Sequence, residues 1–355
     1  MFTTIIFDGD YCRKGKILTK RQLTKQQRKR IEKNQLNASA KTDVLAAHIE
    51  DDSENVSIEK PGIVTASYGA QIDVQEINLS KTIARRCYLR ANLPVIVAGD
   101  KVTWKDHGDY GVVIARHPRE TQICRPDDRG NLRAVAANIN RIAIVISLYP
   151  KPHSNLIDRY IVESENQSIR PLLIINKADL IIKENCEALF SLVSKYKNLG
   201  YDHFFVSAKN GHGLKQLEAY LNNFTSVLVG QSGVGKSSLL NKLIPKINLK
   251  VGDLSESKKK GIHTTTTSQL FHLNNGGSVV DSPGVREFGL LHLAPDEIAN
   301  GFIEFIEHLG KCKFRNCSHK REVGCALIMA VKNGIIARER FDSYLHIVHS
   351  AGKDN

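Results

Sequence analysis

The order of two short motifs constrains this chain more than any other feature of its sequence. Gly230-Gln231-Ser232-Gly233-Val234-Gly235-Lys236-Ser237-Ser238 contains the pattern G-x-x-x-x-G-K-[ST], a phosphate-cradling loop that requires a β-strand before it and a helix after it. Both are at hand, as the apolar run Thr225 to Val229 and the helical stretch Ser237 to Leu243. Asn176-Lys177-Ala178-Asp179, an N-K-x-D element of the kind that reads guanine, lies upstream of that loop. Ser207-Ala208-Lys209 stands between the two, and Asp281-Ser282-Pro283-Gly284, a D-x-x-G element, follows. Small GTPases ordinarily place the phosphate loop first. A chain carrying these parts in this order must build a parallel α/β sheet and enter it at a different point.

The chemistry of each part follows from its atoms. Gly230, Gly233 and Gly235 let backbone N–H groups close on phosphate, and the following helix N-terminus adds its positive end. Lys236 is expected to reach the β- and γ-phosphates, and the Ser237 hydroxyl to ligate Mg²⁺. A carboxylate at Asp179 accepts from guanine N1–H and the 2-amino group, whereas adenine offers neither donor. GTP, rather than ATP, is therefore the expected nucleotide. Ser207-Ala208-Lys209 is expected to support the base. Asp281 would hold Mg²⁺ through water, and Gly284 would close the element. Val285 occupies the position where many GTPases carry a water-orienting Gln, so slow intrinsic turnover is expected. Lys258 to Thr267 fits the Mg²⁺-binding threonine region, and His263 is a candidate for positioning the attacking water; a solvated loop histidine is the other reading.

The 355-residue chain carries a formal charge of +13, which makes a polyanion such as nucleic acid the first partner to consider. Arg13 to Lys33 holds ten Lys or Arg and one acid, so residues 1–59 read as a flexible basic arm. Between 60 and 119, five short β-rich segments punctuated by Gly, Asn and Asp suggest a small barrel of the OB type. They are Gly62 to Gly69, Ala70 to Ile77, Ala84 to Arg90, Asp100 to Trp104 and Gly111 to Ala115. Tyr68, Arg85, Arg86, Tyr88 and Arg90 could supply charge and stacking for single-stranded RNA; docking of a protein is the other use of such barrels. Strand and helix patterns then alternate over 120–293, and the texture from 294 to 355 is helical. No window is apolar enough to span a membrane, and the opening segment is a poor signal peptide, so a cytoplasmic location is expected.

Four of the seven cysteines are scattered, while Cys312-x4-Cys317-x-His319-x5-Cys325 brings three thiols and an imidazole together. Four such ligands suit a closed, tetrahedral structural zinc site. Buried reduced cysteines are the alternative.

Taken with Ala136-Ala-Asn-Ile-Asn140, Asp158-Arg-Tyr160 and Asp281 to Gly289, these features resemble the RsgA (YjeQ) family of circularly permuted GTPases over about residues 60–350. The resemblance implies an N-terminal OB-fold barrel, a central permuted phosphate-loop GTPase domain and a C-terminal helical zinc domain. It implies late maturation of the small ribosomal subunit, contact with its rRNA through barrel and zinc domain, and subunit-stimulated hydrolysis of GTP to GDP. Cys312, Cys317, His319 and Cys325 match the family's zinc ligands, and His263 falls at a histidine proposed as catalytic. A GTP-gated RNA-binding module in which hydrolysis is incidental is the rival expectation. Nothing in the sequence calls for more than a monomer.

Overall fold

The computed structural model describes residues 58–77, 83–126, 131–182, 186–244, 268–281 and 293–351. The basic arm, His263, Thr264 to Thr267, Gly284 and Val285 lie outside the described residues.

Five strands open the described chain: β1 (Glu59–Ser67), β2 (Gln71–Glu76), β3 (Arg85–Leu89), β4 (Lys101–Asp106) and β5 (Gly111–Arg116). β1 pairs with both β2 and β4, and β3 pairs in parallel with β5, which closes the order 1-2-3-5-4 into a barrel. That is the expected OB-type arrangement. Alternate residues Val64, Ile72, Val74, Cys87, Val102, Trp104 and Val113 fill its interior. Gly62 and Gly111 are required there, because a Cβ at either would press on the Trp104 indole.

A hairpin that the sequence patterning did not suggest, β6 (Gln122–Pro126) with β7 (Leu132–Ala137), joins the barrel to the domain behind it. Arg119 grips the buried Asp100 carboxylate through Nε and Nη2 at 2.7 and 2.8 Å, and the Ala137 N–H donates to Ala98 across the same junction. Both loops are held from each side.

The central sheet runs β10-β9-β8-β11-β13-β12. β8 (Arg141–Ser147), β9 (Arg170–Asn176), β10 (Asp202–Phe205), β11 (Thr225–Val229) and β13 (Ser278–Asp281) are parallel, as the continuous apolar runs predict. β12 (Gln269–His272), unanticipated from sequence, is antiparallel to β13. Ile142, Ile144 and Ile146 point to one face and Ala143 and Val145 to the other, each into its own core. Helices α1 (Ser154–Asn166), α2 (Glu187–Asn198), α3 (Leu214–Leu221) and α4 (Lys236–Leu243) cover these faces.

The C-terminal region is helical, with α5 (Pro295–Asn300), a 3-10 segment at Ile303–His308, α6 (Ala326–Lys332) and α7 (Arg338–Ala351). Phe302, Phe305, Phe341 and Tyr344 form its aromatic core. The module is fixed to the GTPase domain through α1. Gly301 packs so closely on Val162 that a Cβ would clash. Arg340 of α7 pairs with Asp158 of α1 and, through Nε and Nη2 at 2.6 and 3.1 Å, with Glu304. Its guanidinium lies 4.4 Å from the Phe302 ring centre.

Candidate nucleotide site and metal cluster

The strand ends of the parallel sheet converge, and Asn176 is the residue that ties them together. It closes β9, is 1% exposed, and donates Nδ2–H to the carbonyls of Val234 and Gly235 at 2.9 and 3.4 Å. Its Oδ1 accepts from the Ala208 N–H at 3.2 Å. One buried amide thus joins the N-K-x-D, phosphate-loop and Ser-Ala-Lys segments, which are distant in sequence. Gly235 has φ 91°, and a Cβ there would lie 2.5 Å from Asn176 Nδ2, so the brace needs glycine opposite it. A Cβ on Gly230 would strike the Val145 carbonyl of the neighbouring strand.

Lys177 adopts the left-handed conformation at φ 59°, which for a side chain of this type is mildly strained. The turn holds it there: the next N–H, of Ala178, donates to Val206, and Lys177 Nζ donates to the carbonyls of Tyr149 and Gly233 at 2.8 and 2.7 Å. The lysine stem therefore lies across the strand ends, beside the phosphate loop. Asp179 accepts from the Ser207 hydroxyl at 2.5 Å. That bond, with Lys209 and Lys177 nearby, keeps its carboxyl below the ordinary aspartate range and hence ionised for a base that presents two donors.

Gly235 caps α4, whose first turn carries Lys236 and the nearly buried Ser237. Lys236 Nζ donates to the Gly230 and Gln231 carbonyls at 2.6 and 2.7 Å, folded back over its own loop. Asp281 ends β13, the strand adjacent to β11, and so stands at the same edge as the phosphate loop. Ser237 and Asp281 each offer an oxygen of the kind a hard cation such as Mg²⁺ takes. Ser232, Gly233, Val234 and Ser238 fall in or just after the loop as expected. Tyr149, through its carbonyl, is a contributor that motif reading missed, because a backbone acceptor carries no residue signature.

The second site is the Cys/His cluster. The ligand atoms of Cys312, Cys317, His319 and Cys325 all lie within 4.8 Å of one another. Cys312 Sγ is 3.5 Å from His319 Nδ1 and 4.0 Å from Cys325 Sγ, and Nδ1 is 3.4 Å from Cys325 Sγ. A tetrahedron with metal–sulfur bonds of about 2.3 Å and a metal–nitrogen bond of about 2.0 Å has edges of about 3.5–3.8 Å. The distances among Cys312, His319 and Cys325 are close to that size, and the four residues could hold a metal ion. His319 sits at φ 60°, turning its Nδ1 inward, and the Ala326 N–H at the start of α6 donates to Cys312 Sγ at 3.3 Å.

The expected RNA-facing side chains of the barrel are partly engaged with one another. Arg86 donates to Asp73 at 2.5 Å and lies 4.6 Å over the Tyr68 ring, while Arg85 is 3.7 Å from Asp106. Arg90 is exposed at the end of β3. Tyr88 meets Tyr110 edge-on, and Tyr110 stacks on His107.

An N-K-x-D loop that precedes the phosphate loop, on one parallel sheet, is the arrangement of a circularly permuted GTPase. Comparison with known proteins agrees. A family model described as RsgA GTPase matches residues 116–291. The small ribosomal subunit biogenesis GTPase RsgA of Ectopseudomonas mendocina (strain ymp) is 47% identical over 344 residues, covering 95% of this chain and all of the relative. The protein of the same name from Pseudomonas fluorescens (strain Pf-5) is 48% identical over 338 residues, 94% of this chain and 98% of the relative. Among solved structures, YjeQ from Thermotoga maritima superposes with a TM-score of 0.69 at 30% identity, over 83% of this chain and 99% of that one. YloQ, described as a circularly permuted GTPase, gives 0.66 at 25% identity, over 84% and 96%. The chain belongs to the RsgA GTPase family, and its reaction is hydrolysis of GTP.

Proposed function

We propose that this protein hydrolyses GTP in the service of small ribosomal subunit maturation in the cytoplasm, with productive turnover reached on the subunit. The observation that carries the reading is the Asn176 brace, which draws the N-K-x-D, phosphate-loop and Ser-Ala-Lys segments together in a chain related over 95% of its length to a small ribosomal subunit biogenesis GTPase. Asp179 selects guanine, Lys177 and the Ser207 to Lys209 loop support the base, and the Gly230 to Ser238 segment cradles the phosphates. Lys236 exchanges its two carbonyl partners for β- and γ-phosphate oxygens, where its charge stabilises the charge developing in the transition state. Ser237, with Asp281 through water, would hold Mg²⁺, which when bound neutralises phosphate charge. His263 is proposed to position the attacking water, since Val285 has no hydrogen-bonding group.

In the metal cluster we favour zinc, because three thiolates and one imidazole leave no open position for catalysis. Lys311, Lys313, Arg315, Lys320 and Arg321 surround it with positive charge suited to rRNA. Metal analysis of protein purified without chelators checks this, and another metal in its place would sink it.

The deciding experiment is GTP turnover with and without purified small subunits. Marked stimulation is expected. Equal rates, alongside tight GTP-dependent subunit binding, would favour the gated RNA-binding module instead.

A further inference from the structure

Among the described residues, the barrel and the GTPase sheet share one ladder pairing. Gln269, the first residue of β12, pairs with Ala66 of barrel strand β1 on one side. On its other side it pairs with Asp281, the last residue of β13 and the aspartate assigned to Mg²⁺. Three elements therefore meet in one row: Asp281, Gln269 and the barrel wall. The contact continues in side chains. The Gln269 amide faces the Tyr68 phenol, two residues beyond Ala66, and opposes the rise in pKa that burial and Asp73 impose on it. Tyr68 Oη in turn donates to Asp73 Oδ2 at 3.1 Å, Asp73 holds Arg86, and the Arg86 guanidinium lies over the Tyr68 ring. Tyr68 is 40% exposed, and this cluster forms part of the barrel's outer surface.

We propose that Gln269 couples the nucleotide state to the RNA-facing surface of the barrel. The inference rests on the reading of that surface as an RNA-docking face. A shift of Asp281 with the γ-phosphate moves its ladder partner, because two hydrogen-bonded strands move together. Gln269 then approaches or leaves the Tyr68 phenol. That resets whether Arg86 is spent on Asp73 and Tyr68 or turned to phosphate. Coupling of this kind is reciprocal, so RNA on the barrel changes nucleotide affinity by the same factor.

The test compares the affinity of the full-length protein for small subunits with a non-hydrolysable GTP analogue and with GDP. Gln269→Val keeps a strand-forming residue and its backbone pairing but removes the amide. Tyr68→Phe removes only the hydroxyl. In both variants the ratio of the two affinities is expected to fall about fivefold or more. The effect of subunits on nucleotide affinity falls by the same factor, while GTP affinity without subunits stays at the wild-type value. A variant that is merely unstable would not lower both ratios in step. If the wild type discriminates between nucleotides and both variants discriminate equally, this inference is overturned and the GTPase reading stands. If the wild type itself binds subunits without regard to nucleotide, GTP-gated docking fails, and this inference with it.

Discussion

Asp179 accepts from Ser207 and is kept ionised by that hydroxyl and by neighbouring lysines, so it is poised for a base with two donors rather than for one in particular. An amide at the same position would donate as well as accept. Asp179→Asn is therefore expected to lower GTP affinity about a hundredfold or more and to raise affinity for xanthosine triphosphate, whose 2-oxo group accepts. Competition binding with the two nucleotides measures this, and unchanged GTP preference would refute the assignment. A different carboxyl controls stability. Glu163 on α1 is 2% exposed, and burial raises its pKa to about 7, with Glu297 adding to the rise against a hydrogen bond from Gln167. Below the unfolded value of 4.5 both states hold the proton. As pH climbs to about 7 the unfolded chain ionises freely and the native one does not, so stability falls by roughly 2–3 kcal/mol across that window. Glu163→Gln should flatten this part of the profile in denaturant titrations, leaving the variant the more stable protein at pH 8. The motifs disclosed Asp179, but no pattern marked Glu163, because its environment comes from helices distant in sequence.

Helix α1 connects the two functional ends of the chain. His153, just before it, and Leu156 and Tyr160 on it line one cavity with Gly230 and Gln231 of the phosphate loop, and Asp158, on its second turn, receives Arg340. The Asp158-Arg-Tyr160 stretch is part of the family likeness in the sequence, which assigns it no role. Its role is packing and charge: Asp158 is 1% exposed and also accepts from Tyr196 of α2 at 2.7 Å. Removing the guanidinium leaves both Asp158 and Glu304 without their cation. Arg340→Met is expected to destabilise by about 3–5 kcal/mol, and the double variant Asp158→Leu/Arg340→Met to regain part of it, since Glu304 stays without its cation. Thermal or denaturant unfolding reads both. A double variant as unstable as the single one would show that the pair contributes more than charge balance. Strand β12 and the β6–β7 hairpin were not foreseen for a related reason. Gln269-Leu-Phe-His272 is too short for its alternation to stand out, and its partners on both sides lie elsewhere in the chain.

At the scale of the whole molecule, the charge of +13 is not spread evenly, since ten basic residues fall within Arg13 to Lys33. Neutralising phosphates releases counterions, so affinity for subunits should fall steeply with salt, and deletion of residues 1–57 should both weaken binding and shallow that slope. Subunit binding measured across a salt series checks it; an unchanged slope would remove the arm from the interface. The sequence by itself determined the nucleotide chemistry, the permuted order, the five barrel strands and the four clustered ligands. Each is written in local spacing, where a fixed residue type at a fixed interval is enough. Only the tertiary structure decided that Asn176 braces three loops, that Arg340 fastens the metal module to α1, and that Gln269 stands between Asp281 and the barrel. Those relations depend on which strands become neighbours, and pairing across a sheet is set by collective burial of apolar faces rather than by any spacing along the chain.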